Sequence, residues 1–209
     1  MRKIKLFLVV ACVAMLAACN TKPAETEKEM KYENETIATI MERRSIRKYK
    51  PETVARETLE KIMECGINAP NGQNKQSWEV RVVDNPTVMA EINAVIAEAY
   101  GDKAEMAVGC FRGAPVMVFI ARDLSYDFSA YDCGLLAENI MLSAQSLGVG
   151  SICLGSPVRI INDNEACAPV LERLGFSEGY EFCLCVGLGY ADEAPEAKPR
   201  MKEKVKFVE

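Results

Sequence analysis

Arg43-Arg44-Ser45-Ile46-Arg47 sets three guanidiniums and one hydroxyl within five residues of a chain whose formal net charge is -5. With Lys48 and Lys50 the segment carries five cations in eight residues. A planar guanidinium offers paired donors to two oxygens at once, and a neighbouring hydroxyl adds another hydrogen bond, so the stretch suits a phosphate. The same residues also suit a solvated basic helix end, because cations favour helix C-termini and most charge runs are wet surface. The rest of the chain has to decide between these two readings.

Upstream, Ile37, Ile40 and Met41 recur at helical spacing and predict a helix from about Asn34 into Arg43, with the basic knot at its C-terminal end. Further back, Arg2-Lys3-Ile4-Lys5 precedes an apolar run from Leu6 to Leu16 that is too short for a permanent span, which is the pattern of a secretory signal. Leu16-Ala17-Ala18-Cys19 resembles the lipobox of bacterial lipoproteins. The resemblance implies a signal peptide over 1–18, a lipid on Cys19 and a chain anchored to a membrane of the cell envelope. Residues 19–35, mostly polar and charged with Glu and Lys foremost, read as a flexible tether. Residues 36–209 then form one domain, long enough to bury a sizeable core.

Composition narrows the chemistry. Histidine is absent, which removes Ser-His and Cys-His nucleophile pairs, His-ligated zinc and the imidazole proton shuttle. A catalyst built this way often borrows a cofactor. Beyond Cys12 and Cys19, cysteines stand at 65, 110, 133, 153, 167, 183 and 185, an odd number that cannot pair completely. Most have apolar neighbours and read as small buried hydrophobes. Cys183 and Cys185 alternate along an apparent strand, hence point to opposite faces and share neither a disulfide nor a metal. No metal site is expected, and the acidic balance argues against nucleic acid as a partner.

Downstream, Leu59, Ile62, Met63 and Ile67 mark a second helix from Val54 or Arg56 to Asn68, which ends at the turn signature Ala69-Pro70-Asn71-Gly72. Strands are expected at 78–83, 115–121, 151–154 and 180–189, and helices at 86–100, 129–147 and near 165–174, with Gly148 capping the longest. Helices and strands interleave without a βαβ repeat, predicting α+β with one central sheet.

Taken in order, four motifs resemble the nitroreductase family of flavoproteins over about residues 37–200. They are the Arg43–Arg47 knot after an opening helix; Ala69-Pro70-Asn71-Gly72-Gln73-Asn74-Lys75-Gln76-Ser77-Trp78; the long helix followed by Leu147-Gly148-Val149-Gly150-Ser151-Ile152-Cys153-Leu154-Gly155; and Lys198-Pro199-Arg200. The resemblance implies a three-layer α+β fold, a central mostly antiparallel sheet flanked by helices, and an interlocked homodimer with two FMN sites. It favours the phosphate reading of the knot. By the same resemblance Arg43, Arg44, Ser45, Lys198 and Arg200 surround the FMN phosphate, and Arg47 reaches the N1/O2 edge of the ring as the catalytic cation. Asn74 meets the ring's polar edge or the ribityl chain. Pro70 and Asn71 approach from the other subunit, and Cys153, Leu154 and Gly155 lie with their backbone against the ring. The sequence departs from the family at Ser77, where a proline is usual, and in the short passage Arg122–Phe128, which leaves no room for the helical lid of larger relatives.

The implied reaction is ping-pong: a hydride from NADH or NADPH reaches the flavin, and electrons then pass to a nitroaromatic, quinone or similar small acceptor. Export to the envelope conflicts with a nicotinamide donor. Two alternatives stay open, an envelope flavoprotein fed by another donor and a flavin-binding redox carrier or sensor without nitroreductase turnover.

Overall fold

The computed structural model describes residues 31–209. The predicted signal sequence, Cys19 and the tether as far as residue 30 lie outside the described residues. Order along the chain begins with α1 (Glu35–Glu42), whose N-cap Asn34 accepts a hydrogen bond from the Ile37 amide at 3.0 Å. Then follow α2 (Arg56–Ile67), β1 (Trp78–Val83), α3 (Pro86–Tyr100) and α4 (Ala104–Val108). The second half runs β2 (Val116–Asp123), α5 (Ser129–Ser146), β3 (Gly150–Leu154), α6 (Ser156–Asn162), α7 (Ala168–Leu174) and β4 (Tyr180–Gly189).

The four strands make one sheet in the order β1-β2-β4-β3, with every ladder antiparallel. β2 is buried from Val116 to Ala121 on both faces, which is why it reads as an unbroken apolar run. The sheet separates two apolar layers. On one side Ile92, Ile96, Ile161, Val170 and Leu174 from α3, α6 and α7 pack against Met117, Phe119 and Cys185. On the other, Leu59 and Ile62 of α2 and Cys133, Leu136, Ala137, Ile140 and Ala144 of α5 pack against Val118, Ile120 and Val186. These α5 residues recur at three- and four-residue spacing, the signature of a buried helix face. The expected α+β, three-layer, antiparallel architecture is therefore present.

α5 stops as its sequence demands. Gly148 takes φ +74°, its amide donates to Gln145 O at 3.1 Å, and the Val149 amide reaches back to Ala144 O at 2.8 Å. This is the paired bonding of a Schellman end, which requires a left-handed residue at that position.

Two stretches differ from expectation. Residues 101–111 are a chain of short helical turns, including α4. Gly101, Gly109 and Gly113 divide them into pieces too brief to show a helical period. The Leu154–Gly155 segment leads directly into α6, whose start is marked only by Pro157 in its first turn. The connection from β2 to α5 is short and carries no helix, as the length of Arg122–Phe128 implied.

Candidate functional site

After α1 the chain turns extended at Arg43, with φ -54° and ψ 136°, and runs beside the β3 edge. Ser45 bridges Ser151, and the Ile46 amide donates to Ser151 O at 3.0 Å. Ile46 is buried, so its flanking residues are turned outward. A second set of bonds ties the segment to the chain leaving β4. The Lys50 amide donates to Tyr190 O and the Asp192 amide to Lys48 O, each at 2.9 Å. Glu193 Oε1 accepts from the Arg47 amide and, at 3.2 Å, from the Lys48 amide. Tyr49 donates its hydroxyl to Ile46 O at 2.8 Å. Burial pushes the Tyr49 hydroxyl well above the ordinary phenol value and the charge of Glu193 adds to it, so Tyr49 stays a neutral donor.

So held, the knot lines one small cavity of about 120 Å³ together with the C-terminal segment: Arg43, Arg44, Ser45 and Arg47 on one side, and Pro195, Glu196, Lys198 and Arg200 on the other. Three of the guanidiniums partly satisfy themselves on nearby carbonyls, Arg200 Nη1 by donating to Lys198 O at 2.9 Å. Arg44 Nη1 donates to Met41 O and Arg43 O at 2.8 Å, and Arg47 Nη1 to Ser45 O at 3.0 Å. Arg43 Nη1 is buried without any partner, as is Ser151 Oγ beside the Ser45 bridge. A buried guanidinium nitrogen without an acceptor is expensive unless something anionic completes it. A compact polyanion such as a phosphate fits this donor set. All five predicted phosphate residues, together with Arg47, thus meet at one place although more than 150 positions separate Arg43 from Lys198 along the chain.

The turn after α2 is built on different principles. Gln73, Asn74 and Gln76 take φ values of +54°, +54° and +49°, a conformation disfavoured for residues with a side chain. Two fastenings hold it. Asn71 Oδ1 accepts from the Gln76 amide at 2.9 Å. Asp132, in the first turn of α5 and only 2% exposed, accepts from the Gly72 amide at 3.0 Å and from the Ser77 hydroxyl at 2.6 Å. Ser77 therefore supplies through a hydrogen bond the rigidity that a proline ring supplies in the family pattern. A Cβ on Gly72 would stand 2.1 Å from the Tyr126 hydroxyl, and the Tyr126 ring in turn carries the Lys75 ammonium 4.3 Å from its centroid.

Within one chain Pro70, Asn71 and Asn74 do not join the phosphate cluster. Their turn is fastened to the start of α5, whereas Arg44 shares its other wall with Gln145 and Gly148 at the far end. Between Asp132 and Gln145 the helix rises about 20 Å. Of the β3 residues, Cys153 is exposed two positions beyond Ser151, Leu154 has its side chain in the core, and a Cβ on Gly155 would meet nothing within 4 Å.

Glu193 and Asp132 escaped sequence reasoning. Both work by accepting from distant backbone amides, a role with no spacing signature. Asp132 in the first turn of a helix reads simply as favourable dipole chemistry.

The nitroreductase family model matches residues 40–190, most of the chain. The NADPH-flavin oxidoreductase of Vibrio harveyi is 31% identical over 183 residues, covering 82% of this chain and 72% of that protein. Among solved structures, the fold resembles an FMN-bound nitroreductase from Desulfitobacterium hafniense with TM-score 0.75 and 34% identity, covering 85% of this chain and all of that one. An FMN-bound nitroreductase from Bacteroides fragilis gives the same TM-score at 27% identity, over 84% of this chain and all of that one. With the family pattern spanning the end of α1, the whole knot, the turn, the long helix and all four strands, the chain belongs to the nitroreductase family.

Proposed function

We propose that this protein is an FMN-dependent oxidoreductase of nitroreductase type, working as a homodimer that draws on NADH or NADPH and reduces a small nitroaromatic, quinone or similar acceptor. The observation that carries the reading is the unpartnered Arg43 Nη1, buried at a cavity that gathers cations from both ends of the domain. Arg43, Ser45, Lys198 and Arg200 hold the phosphate of the cofactor by charge-assisted hydrogen bonds, with Arg44 beside them. Arg47, its backbone fixed by Glu193, offers a cation to the polar edge of the ring and stabilises negative charge there. Pro70, Asn71 and Asn74 complete the site of the partner subunit, since their own turn lies a helix length away from their own knot. The backbone of Cys153, Leu154 and Gly155 forms a surface for the ring. Bound FMN supplies the hydride and electron transfer in two successive half-reactions, so the chain needs no titrating acid of its own.

The signal-like N-terminus supports a lipid on Cys19 and a place in the cell envelope, where a quinol or redox protein is the alternative donor. One experiment addresses both points. Purified protein is expected to carry flavin absorbance that bleaches anaerobically with NADH or NADPH and returns with a nitroaromatic. A protein that takes up no FMN overturns the proposal. Bleaching by a quinol and by neither nicotinamide keeps the cofactor and replaces the donor.

A further inference from the structure

Cys133 on α5 and Cys183 on β4 lie in the same apolar layer between helix and sheet. The register of β4 brings them there. Ile120 pairs with Leu184 and Ala121 with Phe182, so Cys183 is the extra residue of a β-bulge. The bulge breaks the alternation of faces: Cys183 and Leu184 both pack on the α5 side, while Phe182 and Cys185 pack in the opposite layer. Across from the bulge, the Cys133 thiol donates to Ala121 O at 3.7 Å, the carbonyl of the residue at which the register shifts. Cys133 is 1% exposed, and Cys183 is half-buried.

The two thiols are chemically unequal. The neighbouring Cys133 pulls the Cys183 thiol below the ordinary cysteine value; burial opposes this and the Arg122 guanidinium assists it. Cys133 is pushed the other way, by the neighbouring Cys183 and by burial. This is the asymmetry of an attacking and a resolving cysteine, with the attacker on the more open side.

We propose that Cys133 and Cys183 form a reversible disulfide, made by exchange with a disulfide oxidant of the glutathione or thiol-oxidase class. In the first step the Cys183 thiolate attacks one sulfur of the oxidant, its S–S bond breaks, and one thiolate leaves. In the second, the Cys133 thiol gives up its proton to that leaving thiolate and displaces the second thiol, closing the Cys133–Cys183 bond. Two protein thiols are oxidised and one disulfide is reduced to two thiols. The crosslink staples α5 to β4 one residue from Asp132, and so fixes the helix turn that fastens Gly72 and Ser77.

The test is independent of cofactor and activity. The folded protein is incubated in glutathione buffers of increasing oxidised fraction, quenched in acid, alkylated and digested, and its disulfides are mapped by mass spectrometry. The expected result is loss of two free thiols per chain, one crosslink joining Cys133 to Cys183, and full return on adding dithiothreitol. Cys133→Ser is expected to carry a single glutathione on Cys183, whereas Cys183→Ser leaves Cys133 unmodified. Recovery of Cys183 as a free thiol from the wild-type protein at the most oxidising ratio overturns the proposal, as does a crosslink joining Cys183 to any other cysteine.

Discussion

The basic knot and the Asn71 turn sit at opposite ends of α5, and they handle polar groups in opposite ways. In the turn, strain is matched by internal bonding: three residues with positive φ are held by Asn71 and by a buried carboxylate that accepts from Gly72 and Ser77. At the knot, the backbone is tied down thoroughly but Arg43 Nη1 is left without an acceptor. One region is finished by the chain itself. The other leaves a donor open to a ligand. Stability and ligand affinity should therefore respond to different residues, and that separation can be tested.

The largest expected effect is on retention of FMN. Replacing Arg43 and Arg200 together by alanine removes two charge-assisted hydrogen bonds worth roughly 1.5–3 kcal/mol each, which weakens FMN binding by about 10²- to 10⁴-fold. Fluorescence titration of flavin-free protein measures it. The same double variant is expected to leave the melting temperature of the flavin-free protein nearly unchanged. An equal fall in melting temperature would erase the contrast between the regions.

Asp132→Ala should act the other way round. It strands the Gly72 amide and the Ser77 hydroxyl, at a cost of about 2–4 kcal/mol, and so lowers the flavin-free melting temperature by roughly 5–10 °C. Calorimetry of Asp132→Ala beside Ser77→Ala sharpens the point, because Ser77→Ala removes one of the two bonds and is expected to lose about half as much. A smaller loss is expected from Gly72→Ala, whose methyl would displace the Tyr126 ring and cost about 1–3 kcal/mol. Tyr126→Phe in the same chain should return part of it, as a double-mutant cycle would show. Arg47→Ala is expected to have the least effect on affinity. Its signature is a lower reduction potential of the bound flavin, read by anaerobic titration against a reference dye, with most of the binding kept. An unchanged potential would remove Arg47 from the ring edge.

How much of this was legible beforehand depended on whether a feature leaves a period or a composition behind it. The buried face of α5, the unbroken apolar run of β2 and the glycine that ends α5 all did, and each element lies where the pattern placed it. The helical turns of 101–111 did not, because glycines cut them below the length at which a stripe can show. α6 was hidden by following β3 with no intervening loop. In the site, cations clustered in sequence were easy to see, and their convergence with Lys198 and Arg200 needed only the family's order of motifs. The carboxylates were not visible: Glu193 is an acid among several near the C-terminus, and nothing local says that it accepts from the Arg47 and Lys48 amides. The bulge at Cys183 was equally silent, although the opposite facing of Cys183 and Cys185 was read correctly.

The span of α5 between the two regions has a genetic consequence. If each cofactor is held by the knot of one protomer and the turn of the other, a chain crippled at Arg43 and Arg200 and a chain crippled at Asn71 and Asn74 are each inactive alone. Exchanged into a mixed dimer, they leave one site with both defects and the other with none. Co-expression should restore flavin to one site in every mixed dimer, an intragenic complementation that no site built within a single chain can produce.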